Sequence, residues 1–142
     1  MTQTSVQYSE LRDAFDFVSF GQPMEHEAYL CLRTAKCYGH SEYGNDEEPL
    51  PKNIDEAGTY IAIPHKNDLD LGKALVLTFA DTHLPESYDK VQRIFSRAGA
   101  YARFKDLLEH RRMLEQWYEF EETASDDALR RWCKDNDIET IG

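Results

Sequence analysis

The hydrophobic period changes partway along the chain, and that change restricts the fold to a mixed one. From Glu27 to Arg33 the side chains alternate, Ala28, Leu30 and Leu32 against Tyr29, Cys31 and Arg33, the period of a half-buried strand. Lys36 to Tyr43 returns after a short turn near Thr34-Ala35, which predicts a hairpin, although the turn lacks Asn-Gly or Asp-Gly. Thr59-Tyr60-Ile61-Ala62-Ile63 predicts a third strand, closed by Pro64. Between them, Tyr43 to Gly58 is polar and acidic, with Gly44, Pro49, Pro51 and Gly58, and reads as a loop.

The flanking segments carry the helical period instead. In a helix over 5–18, Leu11, Ala14, Phe15 and Val18 form the inward stripe. From 67 to 137 the chain reads as helices separated by short breaks. Asn67 or Asp68 caps one that runs to about Thr82, with Leu69, Leu71, Leu75, Val76, Leu77 and Phe79 around most of its circumference. Pro85 and Glu86 open the next, with Val91, Ile94, Phe95 and Ala98 inward, until Gly99 breaks it. Tyr101, Phe104, Leu107 and Leu108 mark a further helix, and Met113, Leu114, Trp117, Tyr118 and Phe120 another. Ser125 is positioned to cap the last, with Asp126 and Asp127 at its start and Arg130, Arg131 and Lys134 towards its end, the order a helix dipole favours. The expected architecture is α+β: an N-terminal helix, a small antiparallel sheet of about three strands over 27–63, and a C-terminal helical bundle.

Size and composition narrow the class. A chain of 142 residues is expected to form a single domain over 1–142 that buries roughly two thirds of its unfolded surface. Its longest apolar-rich run, Ala74 to Ala80, is far too short for a membrane span. Met1-Thr2-Gln3-Thr4-Ser5 has neither the basic nor the apolar part of an export signal. Three cysteines, Cys31, Cys37 and Cys133, suit reduced thiols better than a disulfide frame. These features together predict a cytoplasmic protein without a membrane partner. The net charge of −11 opposes broad binding to nucleic-acid phosphates.

Within that acidic chain lies one basic stretch. Lys90, Arg93, Arg97, Arg103, Lys105, Arg111 and Arg112 face only Asp106 and Glu109 between positions 90 and 112. In a helix from about Glu86 to Ala98, Lys90, Arg93 and Arg97 share one sector beside the buried stripe. That sector, with Tyr101, Arg103 and Lys105, is a candidate surface for a protein partner. The competing reading pairs these cations with the chain's own carboxylates: Arg103 with Asp106 at i, i+3, and Lys105 with Glu109 at i, i+4.

Other constellations are weaker. His65, Lys66, Asn67 and Asp68 join the third strand to a helix, where polar groups can meet a small ligand or simply close the turn. Glu115, Glu119 and Glu122 share a helix face opposite Trp117 and Phe120, and Asp46-Glu47-Glu48 is a loop charge run; both read as solvated. His26, Cys31, Cys37 and His40 cluster around the hairpin, but their spacing does not suit zinc, and one step of register decides whether the two cysteines share a face. No metal and no cofactor is assigned, and no nucleophile elbow, phosphate loop or dinucleotide fingerprint is present.

The run Tyr60-Ile61-Ala62-Ile63-Pro64, then Arg97-Ala98-Gly99-Ala100-Tyr101-Ala102-Arg103-Phe104-Lys105-Asp106-Leu107-Leu108, then Trp117, Phe120 and Trp132, resembles the bacterial uncharacterised protein family 0158. The resemblance spans most of the chain, departs from the family at Ala102, a position often basic there, and implies bacterial origin without any activity. The sequence thus favours a non-enzymatic interaction or regulatory protein. An enzyme or ligand binder built on His65–Asp68, and an acidic mimic of nucleic acid, are the alternatives.

Overall fold

A computed structural model of the chain describes residues 4–20, 25–41, 49–56 and 58–142. The end of the second predicted strand at Tyr43 and the acidic run Asp46–Glu48 lie outside these residues. The fold is α+β, as the two hydrophobic periods require. The chain divides into two compact units, residues 1–69 with 128–142, and residues 70–127.

In the first unit the central strand is β2 (His26–Cys31). It pairs antiparallel with β3 (Cys37–Ser41) on one side and β4 (Tyr60–Ala62) on the other. The hairpin turn closes without Asn-Gly because Ala35 adopts the left-handed region at φ 63°, which costs a non-glycine residue about 1 kcal/mol. That conformation lets the Ala35 N–H donate to the Cys31 carbonyl at 2.8 Å. Helix α1 (Tyr8–Ser19) buries Leu11, Phe15 and Val18 of the expected stripe and leaves its fourth member, Ala14, half-buried. It covers the sheet face bearing Ala28 and Leu30. Gly39 lies on that face opposite Ala28, and a Cβ there would sit 3.1 Å from the Phe17 ring. The missing side chain leaves the room in which that ring packs.

Two strands are absent from the sequence reading. β1 (Thr4–Gln7) occupies the start of the predicted helix 5–18, and β5 (Ile138–Ile141) follows the last helix. They pair in parallel, Thr4 with Ile138 through Gln7 with Ile141. The pair buries Val6 and Ile138. Arg130 ties it down: its guanidinium donates to Thr140 Oγ1 at 3.1 Å and to the Gly142 carbonyl at 3.0 Å. The same group stacks 3.9 Å from the Tyr8 ring centroid.

The second unit is helical, with boundaries that differ from the expected ones. Lys66–Leu69 forms only a 3-10 turn at the end of the first unit. The predicted helix from Asn67 is interrupted there because Asp70 takes φ 58°, a conformation that ends an i→i−4 ladder and that Asp tolerates. Helix α2 then runs Lys73–His83 and buries Leu75, Val76, Phe79 and Ala80. Pro85 opens a second 3-10 turn, followed by α3 (Tyr88–Ile94), which stops short of the expected Ala98. The Ser96 hydroxyl donates to the Arg93 carbonyl at 2.6 Å and so takes up an acceptor that a continuing helix would use. Gly99, at φ 76°, then precedes α4 (Ala100–His110), in which Phe104, Leu107 and Leu108 are buried as expected.

Helix α5 (Leu114–Asp135) is continuous over 22 residues. Ser125 is buried within it and does not cap a separate helix. No glycine or proline interrupts 114–135, so the cap-like residue lacks the chain reversal that would make it a terminus. The side chains of Trp117, Phe79 and Phe104 are fully buried. The indole meets Phe104 at 5.2 Å and 86°, and Phe79 at 5.3 Å and 75°. Both are edge-to-face geometries that favour the ring quadrupoles. Its N–H has no hydrogen-bond partner among the described residues.

Phe104→Ala is expected to cost about 3–5 kcal/mol in urea unfolding, because a large ring removed from this cluster leaves a cavity. Trp117→Phe keeps most of the packing and removes the unpartnered donor, so its cost should be well below that of Trp117→Ala. A Phe104→Ala loss under about 1 kcal/mol, as at a surface site, would contradict this core.

Candidate functional site: cations around helix α3

The structure sorts the basic residues into engaged and unengaged ones. Arg103 Nη2 donates to the Ile94 carbonyl at 3.3 Å, closing the C-terminal end of α3. Arg111 Nη2 donates to Oγ of the buried Ser87 at 3.0 Å. The Lys105 ammonium lies 5.6 Å from the Tyr118 ring centroid. Tyr101 meets Phe95 edge-on at 5.0 Å. Burial, and then the charge of Glu121, push the Tyr101 phenol above its usual value. Tyr101, Arg103 and Lys105 thus each have a partner within the unit.

Lys90, Arg93 and Arg97 are exposed, and their side chains make no hydrogen bond or ion pair among the described residues. The anticipated pairs Arg103–Asp106 and Lys105–Glu109 are not formed either. Glu86 with Lys90 and Asp89 with Arg93 have i, i+4 spacing and also remain apart. Lys90 and Arg93 sit on α3. Arg97 falls on the turn after it, so helical phase aligns only the first two, a correction that follows from the early end of the helix.

The residues of the 65–68 junction do come together, around their own backbone. The Asp68 carboxylate accepts the His65 N–H at 3.0 Å, and the Asp68 N–H donates to the His65 carbonyl at 2.8 Å. The Asn67 N–H donates to Nδ1 of the buried His65 at 3.0 Å, and the Lys66 N–H to Ser19 Oγ at 3.0 Å. Glu115, Glu119 and Glu122 are all exposed on α5.

The hairpin register separates the four histidine and cysteine positions. Leu30 faces Cys37 and His26 faces Ser41, while Glu27 faces His40. Because alternate residues point to opposite faces, His26 and Cys37 lie on the α1 side, and Cys31 and His40 on the other. Among the described residues no three His, Cys, Asp or Glu side chains gather so as to hold a metal ion. Burial, with the charge of Glu10, pushes the Cys37 thiol up to about 11. Burial pushes Cys133 to about 11 as well, against the opposing charge of Arg130. Burial acts upward on Cys31 too, but the Thr34 hydroxyl, the backbone N–H groups of Thr34 and Arg33, and the Arg33 charge hold it below its usual value.

One surface escaped the sequence reading. Tyr29, Tyr38 and Tyr60 share the sheet face away from α1, with Tyr38 and Tyr60 at 6.3 Å edge to face. Lys36 Nζ stands 5.1 Å over the Tyr38 ring centroid. The alternation at Tyr29 carried the signal, but its partners became visible only with the register. Among the described residues no helix is long and apolar enough to cross a membrane. No known protein family, curated protein or solved structure matches the chain.

The two raised thiols make stability depend on alkaline pH. The folded state keeps Cys37 and Cys133 protonated where the unfolded chain begins to ionise them, so their contribution is intact below about pH 9 and is lost as pH rises towards about 11. Unfolding free energy should fall across that window, and less steeply in a Cys37→Ala/Cys133→Ala variant; identical slopes in urea melts would contradict the burial of these thiols.

Proposed function

We propose that the protein is a non-enzymatic interaction or regulatory protein of the bacterial cytoplasm that holds a macromolecular partner through Lys90, Arg93 and Arg97. One observation carries this reading: Lys90, Arg93 and Arg97, within eight positions of one another, stay exposed and unpaired among the described residues of a chain with eleven more acidic than basic residues. In an acidic domain, cations that merely balance internal charge would be expected beside carboxylates, as Arg12 is beside Asp16 at 3.0 Å. The bacterial setting rests solely on the resemblance of residues 60–64 and 97–108 to the uncharacterised protein family 0158, which no matching family model accompanies, and that resemblance adds no chemistry. A ligand site at His65–Asp68 has less support, since the polar groups of that junction are already occupied by one another.

Replacing Lys90, Arg93 and Arg97 together with Ala should change stability by no more than about 0.5 kcal/mol, because exposed unpaired charges contribute little to folding. It should abolish recovery of the partner obtained by affinity purification from the native bacterium, and wild-type recovery should weaken with added salt. A variant that unfolds earlier yet still captures the partner would show that the three cations serve the domain's own charge balance.

A further inference from the structure

We propose that the segment seated on Lys90, Arg93 and Arg97 is a short carboxylate-rich stretch of a partner protein; this rests on the interaction surface proposed above. The span is the first argument. Lys90 and Arg93 stand three helical steps, about 4.5 Å, apart along α3, and Arg97 follows on the turn beyond it, so a peptide of a few residues carrying two or three carboxylates matches the three cations. Two of the three are arginines, whose planar forks take a carboxylate through two parallel hydrogen bonds.

The surroundings discriminate against a nucleic acid. Affinity for duplex DNA grows with the number of phosphates neutralised, and among the described residues α3 and the turn after it offer three unengaged cations, a small footprint for a polyanion. Glu86 and Asp89 flank them, exposed on the same short segment, and Asp106 and Glu109 are exposed on α4. The second unit holds 12 acidic against eight basic residues, so a polyanion that runs past the patch meets net repulsion. A single strand would also need an open ring on which to stack a base, and the neighbouring Tyr101 is engaged edge-on with Phe95. A short acidic stretch satisfies the cations and ends before the flanking carboxylates. Those carboxylates thereby limit its length.

Fluorescence anisotropy of the full chain tests this with three labelled probes: a peptide of alternating Glu and Ser, an oligothymidylate of equal charge, and a peptide of alternating Lys and Ser. The Glu–Ser peptide should bind best and weaken with salt. Lys90→Ala/Arg93→Ala/Arg97→Ala should weaken it about tenfold or more. The control Lys52→Ala/Arg131→Ala/Lys134→Ala, with the same change in net charge, should keep it. Each variant's unfolding midpoint is read in the same samples. Tighter binding of oligothymidylate, lost in the first triple variant, would overturn the acidic-peptide assignment and leave the interaction surface standing. Equal losses in both triple variants would overturn both, because net charge and not the α3 segment would then govern binding. Absence of Glu–Ser peptide binding would overturn the assignment alone, since partner recovery tests the surface separately.

Discussion

The edge-to-face packing of Trp117 between Phe79 and Phe104 is the constraint on which the second unit depends. Each ring comes from a different helix, α5, α2 and α4, so one buried cluster sets three elements against one another. Phe95 extends the cluster to the end of α3 through its contact with Phe104 at 5.7 Å. Aromatic rings in this arrangement bury large areas and also favour particular angles, so they hold helices in one packing where aliphatic side chains tolerate several. With Val91 and Phe95 held inward, Lys90 and Arg93 are left on the solvent side of α3. The exposure of those two cations is thus a consequence of core packing.

The division of labour among the basic residues follows from how a guanidinium meets backbone. α3 is only seven residues long, and a short helix has a large share of unsatisfied terminal carbonyls. Arg103 and Ser96 satisfy two of these acceptors, at Ile94 and Arg93. Arg111 instead donates to the side-chain hydroxyl oxygen of the buried Ser87, in the turn that opens α3. Among the described residues, what remains unengaged in the basic stretch is the set at 90, 93 and 97, with Arg112 beyond α4. In water such exposed cations contribute little to folding, and their field acts mainly on an approaching partner.

In the first unit the central strand β2 plays the organising role. Its backbone is paired on both sides, and its two faces have different fates: Ala28 and Leu30 meet α1, while Tyr29 stands with Tyr38 and Tyr60. One register therefore places Phe17 against Gly39 and separates Cys31 from Cys37. The same register decides the chemistry available to the hairpin, because ligands on opposite faces of a sheet cannot converge on one ion.

Much of the local structure was legible in the sequence. The alternation around 27–33, the stripe of α1, and the inward positions Phe104, Leu107, Leu108 and Trp117 all follow from period alone, since burying an amphipathic face needs only the right spacing. The basic stretch was equally visible as composition. Tertiary structure decided the rest. The β1–β5 pair joins segments more than 130 positions apart and carries little alternation of its own, so no local pattern announces it. Helix ends at Ile94 and Asp135, and the start at Lys73, depend on Ser96, on Asp70 and on neighbouring packing, which outweigh weak cap signals such as Ser125. Which cations stay unengaged was likewise a tertiary matter: Arg103 and Arg97 are alike as residue types, and only the path of the chain brings one of them to a carbonyl and leaves the other in solvent.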